Sequence, residues 1–380
     1  MRILYIINKM TNLAGIERIL SCKMNYFADN TDYQILLTTY EQQNCELSFK
    51  LNDKITYKPI DISIPRRNHY SFIQWLILYI LARKQFKTKF HNLLCHTHPD
   101  IVICTVYSYE VMDIIINSSN RMKAKVIMES HIMGETVSMA KYQYNRILFK
   151  LFTFWDQHIM RSLKKCNIVV ALTKEDASYW KQYTTKIAVI PNMLTITPKK
   201  VRDYNIKRVI AIGRFSHQKG FDLLLEAWYI INKSISDWHL YIYGNENREP
   251  YQRIVDKYQM NHNTHLMGAT KDIVEEISKS SLFVMSSRFE GFPLVLGEAM
   301  SCGLPCVSFD CPYGPRDIIT DGEDGILVEN GNIDALARAL EKLMEDVTLR
   351  KSMGEKAINN VSRYDRDTIM KQWEQLFLSI

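Results

Sequence analysis

Two glutamates eight residues apart, Glu290 and Glu298, bracket the segment Gly291-Phe-Pro-Leu-Val-Leu-Gly297. The segment follows the apolar run Leu282–Met285 and has the spacing of a helix start. Proline is tolerated in a first helical turn, so Pro293 is expected there. The N–H groups of Leu294 and Val295 are then open to an anion, aided by the helix dipole. Gly291 lets the backbone come close to a ligand. On this reading Glu298, on the first turns, reaches the vicinal hydroxyls of a ribose. Glu290, in the loop, accepts from sugar hydroxyls. A capped helix with two surface glutamates has the same spacing. The second group is Gly213-Arg-Phe-Ser-His-Gln-Lys-Gly220. Arg214 and Lys219 put two cations in one strand-to-helix loop, a pair suited to clamping a diphosphate. The glycine–lysine spacing is not that of a Walker loop. Two solvated basic side chains are the plain alternative.

Such loops need strands behind them. In the first half, short apolar runs at Arg2–Ile7, Tyr33–Thr39, Ile55–Ile60, Ile101–Thr105, Lys125–Met128, Asn167–Ala171 and Ile187–Ile190 alternate with helical spacing. The longest helix is expected over Ser71–Phe90. The second half repeats the pattern with strands at Arg208–Ile212, Leu240–Tyr243, His265–Met267, Leu282–Met285, Pro305–Phe309 and Ile326–Val328. Met193–Ile206 has no periodicity and is expected to be a linker. The fold class is therefore α/β: two Rossmann-like, doubly wound parallel-sheet domains facing a cleft. The first is expected over 1–195 and the second over 206–364. An amphipathic helix over 365–380 is expected to pack back on the first domain. Ligands in such folds bind at the C-terminal ends of the strands.

The chain has 380 residues, 47% of them hydrophobic and 23% charged, which excludes disordered, collagen-like and disulfide-stapled classes. The longest apolar run, Trp75 to Ala82, is far short of the ~20 residues of a membrane span. Ile3–Ile7 is too short for a signal-peptide core, so a cytoplasmic location with reduced thiols is expected. Cys302, Cys306 and Cys311 do not have zinc-ribbon spacing. His96, His98 and Asp100 precede a strand and read as structural. Residues 1–200 carry 27 Lys+Arg against 15 Asp+Glu, whereas 201–380 carry 21 against 26. A basic first half suits an anionic partner. Trp75–Lys89 joins an apolar stretch to Arg83, Lys84, Lys87 and Lys89. Tyr142–Lys165 mixes Arg146, Lys150, Arg161, Lys164 and Lys165 with Phe149, Phe152, Phe154 and Trp155. Both suit peripheral contact with the inner face of an anionic membrane. Core helices with solvated basic faces are the alternative. No nucleic-acid motif accompanies the charge.

Together the two loops resemble glycosyltransferase family 4, whose retaining enzymes have the two-domain GT-B fold. The resemblance is most specific over Ser287–Val328. Such sequences look like bacterial enzymes of capsule, lipopolysaccharide and lipid-linked oligosaccharide assembly. It implies that Glu290 holds donor-sugar hydroxyls, that Glu298 holds the ribose, and that Arg214 and Lys219 bind the pyrophosphate. Gly291, Phe292, Leu294 and Val295 complete the donor site. In the first domain, Leu13-Ala14-Gly15-Ile16-Glu17 is similar to the family's Gly-Gly-x-Glu loop, with alanine for the first glycine and close approach kept at Gly15. His131 in Glu129-Ser130-His131 matches the family's histidine near the donor sugar and joins Glu290, Arg214 and Lys219 as a catalytic candidate. A lone histidine after a strand is otherwise a loop residue. Asp365 and Asp367 form an Asp-x-Asp that reads as helix capping. No metal or cofactor is expected. The resemblance implies transfer of a sugar from a nucleotide sugar, a UDP-sugar foremost, to a hydroxyl of a glycan or polyprenyl-linked acceptor. A UDP-sugar 2-epimerase and a non-catalytic nucleotide-sugar binder are the alternatives.

Overall fold

A computed structural model describes residues 1–11, 15–43, 45–66, 70–131, 146–199, 203–270 and 272–380; for 146–149, 151 and 152 it describes the backbone alone. The chain forms two compact units. One comprises Met1–Pro191 with Met370–Ile380, the other Asn192–Ile369.

The first unit is built on β1 (Arg2–Ile7), β2 (Gln34–Thr39), β3 (Thr56–Tyr57), β4 (Ile101–Thr105), β5 (Lys125–Glu129), β6 (Ile168–Ala171) and β7 (Ile187–Val189). They pair in parallel in the order β3-β2-β1-β4-β5-β6-β7. Helical crossovers cover both faces of such a sheet. This is why central strands such as β4, IVICT, read as unbroken apolar runs and are buried throughout. Strand β3 is shorter than the apolar run predicts. Its ladder ends at Tyr57, where the Lys58 carbonyl takes the Thr38 hydroxyl at 2.7 Å, and only single bonds follow, such as Ile60 N–H to the Thr39 carbonyl at 2.8 Å. The long helix runs over Phe72–Thr97, seven residues past its expected end, because Phe90 and Leu94 continue its buried face. It stops at His98, left-handed at φ 44°, directly before Pro99.

The second unit carries β8 (Arg208–Ile212), β9 (His239–Tyr243), β10 (Thr264–Met267), β11 (Leu282–Met285), β12 (Cys306–Asp310) and β13 (Gly325–Glu329). All are parallel, in the order β10-β9-β8-β11-β12-β13. In each sheet the winding direction reverses beside the first strand of the unit, between β1 and β4 and between β8 and β11. The crevice of a doubly wound sheet opens there, at the C-terminal strand ends.

Two segments depart from the pattern in the sequence. The expected linker is stitched into the second unit at both ends: Leu194 N–H donates to the Tyr364 carbonyl, and the Tyr204 hydroxyl to the Gly303 carbonyl, both at 2.9 Å. A helix over Val347–Val361 has no counterpart among the expected elements. Gly354 lowers its helical signal, yet packing requires a glycine there: a Cβ would lie 2.1 Å from the Gly303 carbonyl oxygen and 2.6 Å from the Tyr204 hydroxyl. The last helix, Arg366–Ser379, seats Phe377 against Phe27 of the first unit, ring centroids 5.3 Å apart.

The Gly354 contact gives the first expected outcome. Gly354→Ala forces the helix off the turn at Gly303 and lowers stability by about 1–3 kcal/mol, as overpacked sites do. Thermal unfolding of the variant beside the parent protein measures it.

Candidate active site

In the second unit, the loops after β8 and β11 meet beside the winding reversal. Their approach is fixed by backbone. Gly220 is left-handed at φ 61°, and a Cβ on it would sit 2.0 Å from the Ser286 carbonyl oxygen, so only glycine fits. Side chains then lace the loops together. The Ser286 hydroxyl donates to the Lys219 carbonyl at 2.9 Å. Gln218 Nε2 donates to the Phe289 carbonyl at 3.1 Å, and Arg288 N–H to the Gln218 carbonyl at 2.8 Å. Arg288 grips Asp222 with both guanidinium nitrogens, at 2.8 and 2.6 Å.

Within this frame Lys219 Nζ lies 2.6 Å from Glu290 Oε1, and the Ser287 hydroxyl donates to the same oxygen at 2.6 Å. The pair is largely buried, with side chains 15% and 7% exposed. Two residues from different loops, 71 positions apart, thus share one charge-assisted contact. An arriving anion has the Lys219 ammonium to bind. Glu290 keeps its other carboxylate oxygen, Oε2, as an acceptor for hydroxyl groups.

Other expected residues sit differently. Arg214 lies in the same loop but is exposed, 3.5 Å from Glu246 and 3.4 Å from Gln218 Oε1. The helix after Glu290 begins at Leu294, so Pro293 precedes the first turn instead of occupying it. The Leu294 N–H is not open to a ligand: it donates to the Phe292 carbonyl at 2.9 Å. Of the two N–H groups expected to bind an anion, that leaves Val295 as the candidate. Gly314 abuts this bend, where a Cβ would lie 2.4 Å from Pro293 Cδ. Phe292 packs edge-on against Tyr364, centroids 5.6 Å apart. Glu298 is buried on the same helix. The sequence reading missed Gln218, Ser287 and the Arg288–Asp222 pair, because nothing in local spacing ties residues of one loop to another some seventy positions away.

In the first unit, Gly15 opens the helix Gly15–Asn30, while Leu13 and Ala14 lie outside the described residues. His131 follows β5. Its Nε2 lies 2.9 Å from Glu129 Oε2, and both Glu129 oxygens lie 2.6 Å from Lys23 Nζ. All three side chains are buried. Burial pushes the Glu129 carboxyl up, but the Lys23 charge and the His131 hydrogen bond outweigh it and bring it down to about 2. Burial pulls the Lys23 ammonium down, with Glu129 opposing. The sequence does mark Lys23: it interrupts the apolar stripe Ile16, Ile19, Leu20, Phe27 of its helix.

Among the described residues, no three His, Cys, Asp or Glu side chains gather as a metal site. Cys302, Cys306 and Cys311 are buried, and burial pushes their thiols up, so they stay neutral near pH 7. The Asp100 carboxylate accepts from the Arg2 N–H at 2.7 Å, a structural bond.

The sequence profile of the family described as glycosyl transferases group 1 matches residues 195–360, the span that holds Arg214, Lys219, Glu290 and Glu298. Residues 195–360 form a group 1 glycosyl transferase domain. This glycosyltransferase is 26% identical over 390 residues to the amylovoran biosynthesis glycosyltransferase AmsD of Erwinia amylovora, covering 99% of each chain. It is 25% identical over 357 residues to the lipopolysaccharide 1,6-galactosyltransferase of Salmonella typhimurium, covering 90% of each. In fold it is similar to S. aureus TarM, solved in a complex with UDP, at a TM-score of 0.76 and 17% identity over 99% of each chain. These relatives are transferases and leave the epimerase alternative without support.

The Glu129 shift yields a pH dependence for the glycosyltransferase. The folded value, about 2, lies below the ordinary 4.5. The carboxylate's contribution to stability is therefore complete above about pH 4.5 and is lost as the pH falls toward about 2. Denaturant unfolding between about pH 6 and pH 2 should show a steeper loss in the parent protein than in a Lys23→Met/Glu129→Gln double variant.

Proposed function

We propose that this glycosyltransferase moves a sugar from a UDP-sugar to a hydroxyl of a glycan or polyprenyl-linked acceptor in cell-surface polysaccharide synthesis. Transfer proceeds with retention and without a metal ion. The observation that carries the reading is the buried contact between Lys219 and Glu290 at the winding reversal of the second sheet. The family resemblance and the UDP bound to TarM support uridine as the base.

The barrier lies in breaking the anomeric C–O bond to the diphosphate. Negative charge then grows on the β-phosphate while the sugar becomes oxocarbenium-like. Lys219, Arg214 and the Val295 N–H are fixed or near-fixed positive groups that stabilise this charge in place of a divalent ion. Glu290 orients the sugar through its hydroxyls, and Glu298 the ribose. The acceptor oxygen bonds to the anomeric carbon on the face the diphosphate leaves, and its proton passes to the departing phosphate. In the first unit, the family resemblance assigns His131 to a sugar hydroxyl. Glu290→Ala and Lys219→Ala should each lower UDP release with acceptor present by at least about a hundredfold, the scale of losing one preorganised charge, with cooperative unfolding retained. Full turnover by either variant refutes the assignment.

Peripheral association with the inner face of an anionic membrane is the second part of the proposal. Its support is the outer face of the helix Phe72–Thr97, where Ile73, Ile77, Ile80 and Leu81 are exposed and continue, at helical spacing, into exposed Lys84 and Lys87. Arg83 and Lys89 do not contribute: Arg83 pairs with Asp113 at 2.7 Å, and Lys89 donates to the Ile60 carbonyl at 3.0 Å. In the segment Tyr142–Lys165, residues 142–145 lie outside the described ones and Arg146, Phe149 and Phe152 are described by backbone alone, while Phe154 is exposed. No helix among the described residues is long and apolar enough to cross a membrane. Lys84→Glu/Lys87→Glu should weaken co-flotation with phosphatidylglycerol vesicles by about tenfold or more, since each basic residue near an anionic surface contributes roughly 1 kcal/mol. Unchanged flotation removes this part of the proposal.

A further inference from the structure

The first unit spends an unusual arrangement on one carboxylate. Glu129 ends β5 with both oxygens on the Lys23 ammonium, at 2.6 Å each, and Oε2 also faces His131 Nε2 at 2.9 Å. The ammonium is closed off on its other sides by aromatic faces. Tyr5 of β1 lies 5.7 Å away, and Trp373, from the helix at the far end of the chain, lies 3.7 Å away. Stability alone does not call for such a pair, because apolar side chains of similar volume fill buried sites as well or better. What the pair does supply is a carboxylate that stays ionised inside the unit. An ionised carboxylate only accepts hydrogen bonds, so the nitrogen facing it must donate. The His131 proton is thereby set on Nε2, and in the neutral ring Nδ1 is the acceptor.

We propose that Glu129, clamped by Lys23 under the lid of Trp373, is a positioning residue: it fixes the ring and tautomer of His131 so that Nδ1 receives a hydrogen bond from the transferred sugar. The inference rests on the reading of His131 as a sugar contact. It adds a buried lysine, a glutamate and the C-terminal helix to the parts that reaction needs. None of these three touches the sugar, and each acts through the imidazole. It also gives Trp373 a task beyond packing, since removing the ring opens the ammonium to water and loosens its hold on Glu129.

The test uses the full chain labelled with 15N-histidine, and the His131 ring signal is assigned by its loss in His131→Asn. Two double variants remove the buried charges together, so that neither partner is left unpaired. Lys23→Met/Glu129→Leu takes away the acceptor, whereas Lys23→Met/Glu129→Gln keeps an amide oxygen in its place. The parent protein should carry the proton on Nε2. The leucine variant should shift toward mixed tautomers and lose about tenfold or more in kcat, with KM for the UDP-sugar changed far less. The glutamine variant should restore the Nε2 signal and most of kcat. Such losses match the usual scale of a mispositioned catalytic imidazole. An Nε2 signal unchanged in the leucine variant overturns the proposal, and so does equal turnover in the two double variants. Parent-like turnover in His131→Asn instead overturns the sugar-contact reading and the clamp's part in catalysis. A tautomer shift in the leucine variant would still show the clamp holding the ring, which separates the two failures.

Discussion

A lysine held against a glutamate near the C-terminal strand ends recurs in both units, and the surrounding chain is arranged to keep each pair together and largely buried. In the second unit the partners are Lys219 and Glu290, from the loops after β8 and β11. In the first they are Lys23, on the helix after β1, and Glu129, at the end of β5. Neither pair is a surface ornament, for exposed ion pairs contribute little. Buried charges are tolerated only when paired and hydrogen-bonded, so the backbone around them has little freedom. The close passage of Gly220 over Ser286 serves that end, as does the bidentate hold of Arg288 on Asp222.

The two pairs differ in what surrounds them. Lys219 and Glu290 keep some exposure and have hydroxyl and amide neighbours, Ser287 and Gln218, in keeping with a site that exchanges one set of partners for a ligand. Lys23 is sealed by Tyr5 and Trp373 and has no such freedom. One pair is suited to meeting an anion and the other to holding a neighbour still. The same electrostatic device is thus half-open in one sheet and sealed in the other.

The outer face of the helix Phe72–Thr97 shows how burial assigns roles to similar residues. Trp75, Tyr79, Phe86 and Phe90 turn inward, while Ile73, Ile77 and Ile80 face water from the same helix. An apolar stretch of this kind has two faces in different surroundings, and composition alone does not separate them. Charge behaves likewise: Arg83 and Lys84 are neighbours in sequence, yet one is tied to Asp113 and the other is exposed.

Strand and helix alternation, the parallel class of both sheets and the two loops with their glutamates and cations were legible in the chain. They depend on local periodicity and on residue types at short spacing, which a linear sequence carries directly. Glu290 and Lys219 were legible as candidates, but their 2.6 Å contact was not, because it joins positions 71 apart. The Phe292 carbonyl takes the Leu294 N–H that spacing left open, a matter of how the chain bends against Gly314 before the helix begins. Lys23 was not singled out in the sequence, where its only mark is a charge on an apolar stripe. That its partners are Glu129, Tyr5 and Trp373 was decided by sheet order and by the return of the last helix, since burial makes a charge choose its neighbours from whatever the fold brings within reach.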